Sequence, residues 1–149
     1  MNERQKGFTL VELIVVIVIL GILAATALPR FINVTKDARH AAVKGFSGGL
    51  RSAAGLVQGK FIVFGSSGAT SATMADNQTV TVTSTIGLPT ATASGIGVAI
   101  RCESATQCGG FTPDYTTSPG TATFTLQPNC LATYVETTGN VTTNLTGCP

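Results

Sequence analysis

The chain has 149 residues, nine Lys and Arg against seven Asp and Glu, one His, no Trp and four Cys. Near-neutral charge excludes the broad basic field that nucleic-acid binding draws on. A lone histidine without a carboxylate pair or a placed nucleophile argues against an enzyme, and no P-loop or G-x-G-x-x-G is present, the GIG at 95–97 being too short to count.

The first element is a polar leader, residues 1–7, in which Arg4 and Lys6 outweigh Glu3. Residues 8–28, FTLVELIVVIVILGILAATAL, follow as an apolar run whose only ionisable side chain is Glu12. As a helix the run spans roughly 30 Å, enough to cross a hydrocarbon core. A carboxylate there is expensive unless neutralised or paired, which marks Glu12 as a functional position. The positive flank predicts that the leader stays in the cytoplasm while the rest crosses. Two cuts are open: a secretory cut after Ala25-Thr26-Ala27, releasing a binding domain that begins at Leu28, or a cut between Gly7 and Phe8 that leaves the apolar run as the new N-terminus.

The segment GFTLVEL, Gly7 to Leu13, resembles the N-terminal signature of type IV pilins and pseudopilins. The resemblance implies peptidase cleavage after Gly7, N-methylation of Phe8, and a role for Glu12 in assembly. There its carboxylate would meet the terminal ammonium of a neighbouring subunit in a dry core and set the register. Gly21 and Pro29 match two further family positions, and the piece between them reads as a weak point or a simple kink. The stretch Phe8 to Arg39 is especially similar to the mannose-sensitive haemagglutinin (MSHA) pilins.

Over 29–60 a helical period continues, with Phe31, Val34, Ala38, Ala42, Phe46, Leu50, Ala53, Val57 and Phe61 as one apolar stripe. Lys36, Asp37, His40, Lys44, Ser47 and Arg51 are expected on a solvated face, His40 as a surface residue. Arg30, Lys36, Arg39, Lys44 and Arg51 could form a basic strip, for which helix solvation is the better reading. Glycines at 45, 48, 49, 55 and 59 weaken this helix or permit close packing on a sheet.

Residues 61–149 are a different material, with 21 Thr, seven Ser and only five charged side chains. The segments 61–64, 79–83, 97–102, 121–127 and 131–136 are expected strands, bounded by Gly, Pro, Asn or Ser. Residues 65–95 are expected to be a surface connection. The resulting fold class is α+β, a long N-terminal helix packed on an antiparallel sheet of about four strands, with 29–60 and 61–149 forming one domain. Cys102, Cys108, Cys130 and Cys148 fall in the part expected to be exported, where oxidation is favoured. Three pairings are possible; sequential pairing, Cys102–Cys108 and Cys130–Cys148, closes two short loops. A disulfide that bounds the C-terminal region, here Cys130–Cys148, is also what the pilin resemblance implies. No C-x2-C element supports zinc, so no metal and no cofactor are expected. Four N-x-[ST] sequons, at Asn33, Asn77, Asn140 and Asn144, are read as coincidences of a Thr-rich chain.

The resemblance implies a structural subunit that polymerises through its hydrophobic helix into an extracellular filament, used in attachment, motility or uptake. Its implied partners are like subunits, a prepilin peptidase and methyltransferase, the inner membrane before assembly, and an inner-membrane assembly machinery. The alternatives are a type II secretion pseudopilin and the secreted domain cut after Ala27. A pseudopilin of the major kind carries an acidic calcium-binding C-terminal loop, and residues 137–149 contain no acid.

Overall fold

The computed structural model describes residues 8–64 and 68–149, with the side chains of 27–33 excepted. Gly7, the Pro29 and Phe31 side chains and Gly65–Ser67 therefore lie outside the described residues. One helix, α1, runs Leu10–Phe64, and the chain divides into two compact units, Met1–Asp37 and Ala38–Pro149.

In the first unit every described side chain from Phe8 to Thr26 is exposed. The helix here makes no core of its own, since leucines, isoleucines and valines surround it on all sides and, among the described residues, no second element of the unit covers them.

The second unit is a helix on a sheet. Among the described residues six strands follow α1: β1 Ser71–Thr73, β2 Thr79–Thr81, β3 Thr112–Ser118, β4 Thr121–Gln127, β5 Cys130–Val135 and β6 Val141–Asn144. The last four form an antiparallel meander in the order β3-β4-β5-β6. Tight connections enforce it, each through a left-handed residue: Gly120 before β4, Asn129 between β4 and β5, Gly139 before β6. The inner face carries Ala122, Phe124, Ala132, Tyr134 and Val141, and it packs with Val43, Leu50 and Ala54 of α1 into one core. Phe46 stacks on Phe111 at 4.2 Å between ring centres and tilts against Phe124 at 5.1 Å.

The helix half of the expectation needs a correction of phase. The buried face is Val43, Ser47, Leu50, Ala54 and Val57, at spacings of four and three, whereas Val34, Ala38 and Ala42 are exposed. Alanine and valine fit an apolar stripe by pattern, but only the stretch that meets the sheet is buried. Ser47, expected on the solvated face, is inside, its hydroxyl satisfied by donating to the Lys44 carbonyl at 2.8 Å. His40 is half-buried, and its Nε2 is enclosed without a hydrogen-bond partner among the described residues. The glycines at 45, 48, 49, 55 and 59 do not pack on the sheet: all are exposed, and a Cβ at any of them would meet nothing within 4 Å.

Two expected strands are helical. Residues 61–64 finish α1, where Phe61 continues the Val57 face into a small second cluster with Ala72, Val80 and Val82, and Lys60 Nζ sits 4.0 Å from the Phe64 ring centre. Residues 97–101 of the expected strand 97–102 belong to a helical turn that begins as the π-helical Ala93–Gly97. Thr92 caps it, its hydroxyl accepting from the Gly95 N–H at 3.1 Å, and left-handed Arg101 ends it. A Cβ at Gly95 would collide with Thr90, and at Gly97 it would stand 2.7 Å from Tyr115 Oη, so this turn depends on glycine at both places.

The region expected to be a plain connection, 65–95, holds the β1–β2 hairpin, closed by left-handed Asn77. The expected strand 79–83 is shorter, β2 alone, while 121–127 is β4 and 131–136 is β5 within a residue. Strands β3 and β6 were not expected. Pro113 and an Asp break the strand signal of β3, which tolerates them because it lies at the sheet edge; β6 is four residues long at the other edge.

Candidate functional site

The N-terminal segment concentrates the candidate residues. Phe8 is 86 % exposed, and the large apolar side chains from Leu10 to Leu23 stand between 47 and 73 % exposed. On the assumption that nature avoids so large an apolar surface in water, this segment needs an environment supplied from outside the chain. Among the described residues no helix is long and apolar enough to cross a membrane.

Glu12 sits in the first turn of α1. Its Oε2 accepts from the Thr9 N–H at 3.0 Å and from the Thr9 hydroxyl at 2.8 Å, while the Glu12 N–H donates to Thr9 Oγ1 at 3.2 Å. This reciprocal arrangement is a capping box, T-x-x-E, which satisfies orphan donors at the helix start. The T-x-x-E spacing lies inside the apolar run itself and is the sequence signal for this cap. Gly21 lies mid-helix with open space around a Cβ, and α1 continues through the Pro29 position.

In the second unit Cys102 is bonded to Cys108 and Cys130 to Cys148. The first bond closes a loop whose residues 103–107 are all exposed, pinned by the Glu103 carboxylate accepting from the Gly109 N–H at 2.9 Å. That backbone hydrogen bond holds the Glu103 carboxyl below its ordinary range. The second bond joins the start of β5 to the last residues, helped by Gln127 Nε2 donating to the Gly147 carbonyl. Arg39 and Arg51 are not simply solvated: Arg39 donates to the Pro149 carbonyl and Arg51 to the Val141 carbonyl, both at 2.6 Å.

Chemistry of the catalytic kind finds no assembled site among the described residues. No group of three or more His, Cys, Asp or Glu is placed to hold a metal ion, and the cysteines are consumed in disulfides. The grooves that exist are shallow. One beside α1 is lined by Phe46, Ala53, Leu56 and Ile100, and another runs past the exposed Arg101–Asp76 ion pair, 2.6 Å long.

The prokaryotic N-terminal methylation motif family matches residues 3–28. Among relatives, the type IV narrow pilus major component PilA5 of Thermus thermophilus is 54 % identical over 50 residues, 34 % of this chain and 43 % of that protein. The type IV major pilin protein PilE1 of Neisseria gonorrhoeae is 59 % identical over 39 residues, 26 % of this chain and 24 % of its own length. The type IV major fimbrial protein FimA of Dichelobacter nodosus is 43 % identical over 53 residues, covering 36 and 34 %. The chain spans less than half the length of these curated relatives. No solved structure matches.

Proposed function

We propose that the chain is a structural subunit of a type IV pilus, not an enzyme; its N-terminal segment carries the methylation motif and is similar to type IV major pilins. The observation that carries this reading is the coincidence of the methylation motif at 3–28 with a helical stretch, Leu10 to Leu23, whose large apolar side chains are all exposed. A segment of that kind is stable in a lipid bilayer and, later, among copies of itself.

The sequence of events in this reading begins with a precursor in the inner membrane, leader inside. A prepilin peptidase and methyltransferase cuts between Gly7 and Phe8 and methylates Phe8. Inner-membrane assembly machinery then transfers the subunit from lipid to an extracellular filament. Head-to-tail packing of one patch on another leaves an open end and so gives continued growth. Glu12 supplies a carboxylate for a neighbour's Phe8 ammonium, which fixes the axial offset. The helix between Gly21 and Pro29 is the compliant part. The disulfide-bonded unit from Ala38 onward forms the outer wall, its Thr-rich, weakly charged sheet facing water. The similarity of Phe8 to Arg39 to the MSHA pilins supports that subtype.

Mass spectrometry of the N-terminus from sheared surface material tests the proposal. A chain starting at methylated Phe8 in long filaments is the expected result. A soluble product starting at Leu28 would overturn it, and so would a processed chain found only in short periplasmic assemblies.

A further inference from the structure

We propose that Asn144 is an acceptor for N-linked glycosylation, taking a sugar from a lipid-linked sugar diphosphate on the exported side of the membrane. The inference goes beyond the pilus reading and needs from it only that the second unit is exported.

The fold sets one of the four N-x-[ST] sequons apart, so the reading of all of them as coincidences of composition changes for Asn144-Leu145-Thr146. N-linked transfer needs an asparagine on the surface with its Nδ2 free. Asn144 and Thr146 are both exposed. Asn144 Oδ1 accepts from the Thr146 N–H at 3.1 Å and from the Thr146 hydroxyl at 2.7 Å. A backbone N–H only donates, so its partner is the carboxamide oxygen, and Nδ2 occupies the opposite edge of the group. Among the described residues nothing accepts a hydrogen bond from that nitrogen.

The sequon is presented from a fixed turn just past β6, at the edge of the sheet. Its middle residue, Leu145, packs against the core. The Gly147 N–H donates to the Asn129 carbonyl at 2.8 Å, and Cys148 is bonded to Cys130. Asn77 and Asn140 lack this arrangement, because Thr79 and Thr142 belong to strands β2 and β6. Among the described residues neither of those hydroxyls bonds the asparagine of its sequon, and the side chain of Asn33 is outside the described residues.

In the transfer Nδ2 attacks the anomeric carbon of the sugar. The nitrogen–carbon bond forms as the bond from that carbon to the diphosphate oxygen breaks, and the lipid diphosphate leaves with the electron pair. The Nδ2 proton passes to a carboxylate of the transferase. An amide nitrogen is a poor nucleophile, since its lone pair is shared with the carbonyl. Two donors fixed on Oδ1 hold the carboxamide in one orientation and make the Nδ2 proton easier to lose.

The test expresses the full chain with its assembly machinery in cells that make a lipid-diphosphate-linked oligosaccharide and an oligosaccharyltransferase requiring only N-x-[ST]. Peptide mass spectrometry, before and after a glycanase that deamidates the modified asparagine, reads each sequon. The expected result is a glycan on the peptide that carries Asn144, with Asn77 and Asn140 bare. It should be lost in Asn144→Gln and kept in Thr146→Ser. Occupancy should fall about tenfold in Thr146→Val, the upper scale of one lost neutral hydrogen bond. Blocking synthesis of the lipid-linked sugar while nucleotide sugars remain should abolish the glycan, and a glycan that persists would overturn the assigned donor. Equal occupancy at Asn77 and Asn140 would overturn the selection by geometry. A bare Asn144 in filaments of normal mass would overturn the proposal and leave the pilus reading intact, whereas a modified Asn144 without filaments would support the proposal and count against that reading.

Discussion

Arg51 on α1 reaches the backbone carbonyl of Val141, 90 residues later in the chain, at 2.6 Å. Val141 is buried and opens β6, which among the described residues is an edge strand of the sheet. The guanidinium therefore fastens the end of the sheet to the helix that carries the chain's apolar half. A charge-assisted bond to a partly buried carbonyl stabilises by about 1.5–3 kcal/mol. Arg51→Met keeps the aliphatic stem and should lower the stability of the head by about 1–2 kcal/mol, measured by urea unfolding of residues 38–149. An unchanged midpoint would mean that water replaces the arginine.

The Cys130–Cys148 bond closes a loop with a sequence separation of 18. The chain-entropy argument gives such a loop about 3 kcal/mol of stabilisation. Cys148→Ser should lower head stability by roughly that amount and release the last residues, and non-reducing peptide mapping should recover the two cysteines in one fragment. A map linking Cys108 to Cys130 would reject the connectivity.

Two glycines should respond in opposite directions to alanine. A Cβ at Gly147 would collide with the Pro128 carbonyl and approach Asn129 Cβ at 2.7 Å, in backbone that the disulfide holds in place. Gly147→Ala should cost about 2 kcal/mol or more. At Gly55, exposed in the middle of α1 with nothing within 4 Å, alanine should stabilise the isolated head by about 0.5–1 kcal/mol. The pair of melting temperatures checks both, and an unchanged value for Gly147→Ala would overturn the first expectation.

Tyr134 is buried, and its hydroxyl donates to the Pro89 carbonyl at 2.8 Å. Burial first, and the nearby Glu136 carboxylate second, push its pKa up. The folded state then holds this proton more tightly than the unfolded one, so the associated stability is complete below pH ~10 and is lost as pH rises beyond it. Stability against pH should fall on the alkaline side. Tyr134→Phe should flatten that slope while costing about 1 kcal/mol at neutral pH.

Asp114 gives the acid counterpart. The Thr117 hydroxyl, and then the Thr116 N–H and hydroxyl, hold its carboxyl at about 2. Its bonds stabilise the irregular end of β3 above the ordinary carboxylate range and are lost as pH falls from about 4 toward 2. Amide exchange at Thr116 and Thr117 should quicken over that interval, and Asp114→Asn should abolish the change. Exchange that is flat with pH would show that the hydroxyls do not depend on the charge.

What the chain alone determined is the part governed by local composition. An apolar run broken only by Glu12 reads as a helix seeking a non-aqueous surrounding, and the longer alternating segments 121–127 and 131–136 read as strands, because their polar and apolar side chains separate onto two faces only at a period of two. The α+β class follows from those two facts. What tertiary structure decided is everything that depends on a partner across the fold. Residues 61–64 and 97–102 carry strand-like residues but find no neighbouring strand; one extends a helix already formed, the other closes on glycines wedged against Thr90 and Tyr115. β3 contains a proline and β6 is only four residues long, and both are strands because an adjacent strand offers its edge. The start of the buried stripe, and with it the inward turn of Ser47 and the reach of Arg51, was likewise set by where the sheet begins to cover α1. A pattern of apolar residues says which face could be buried; only the opposing surface says how much of it is.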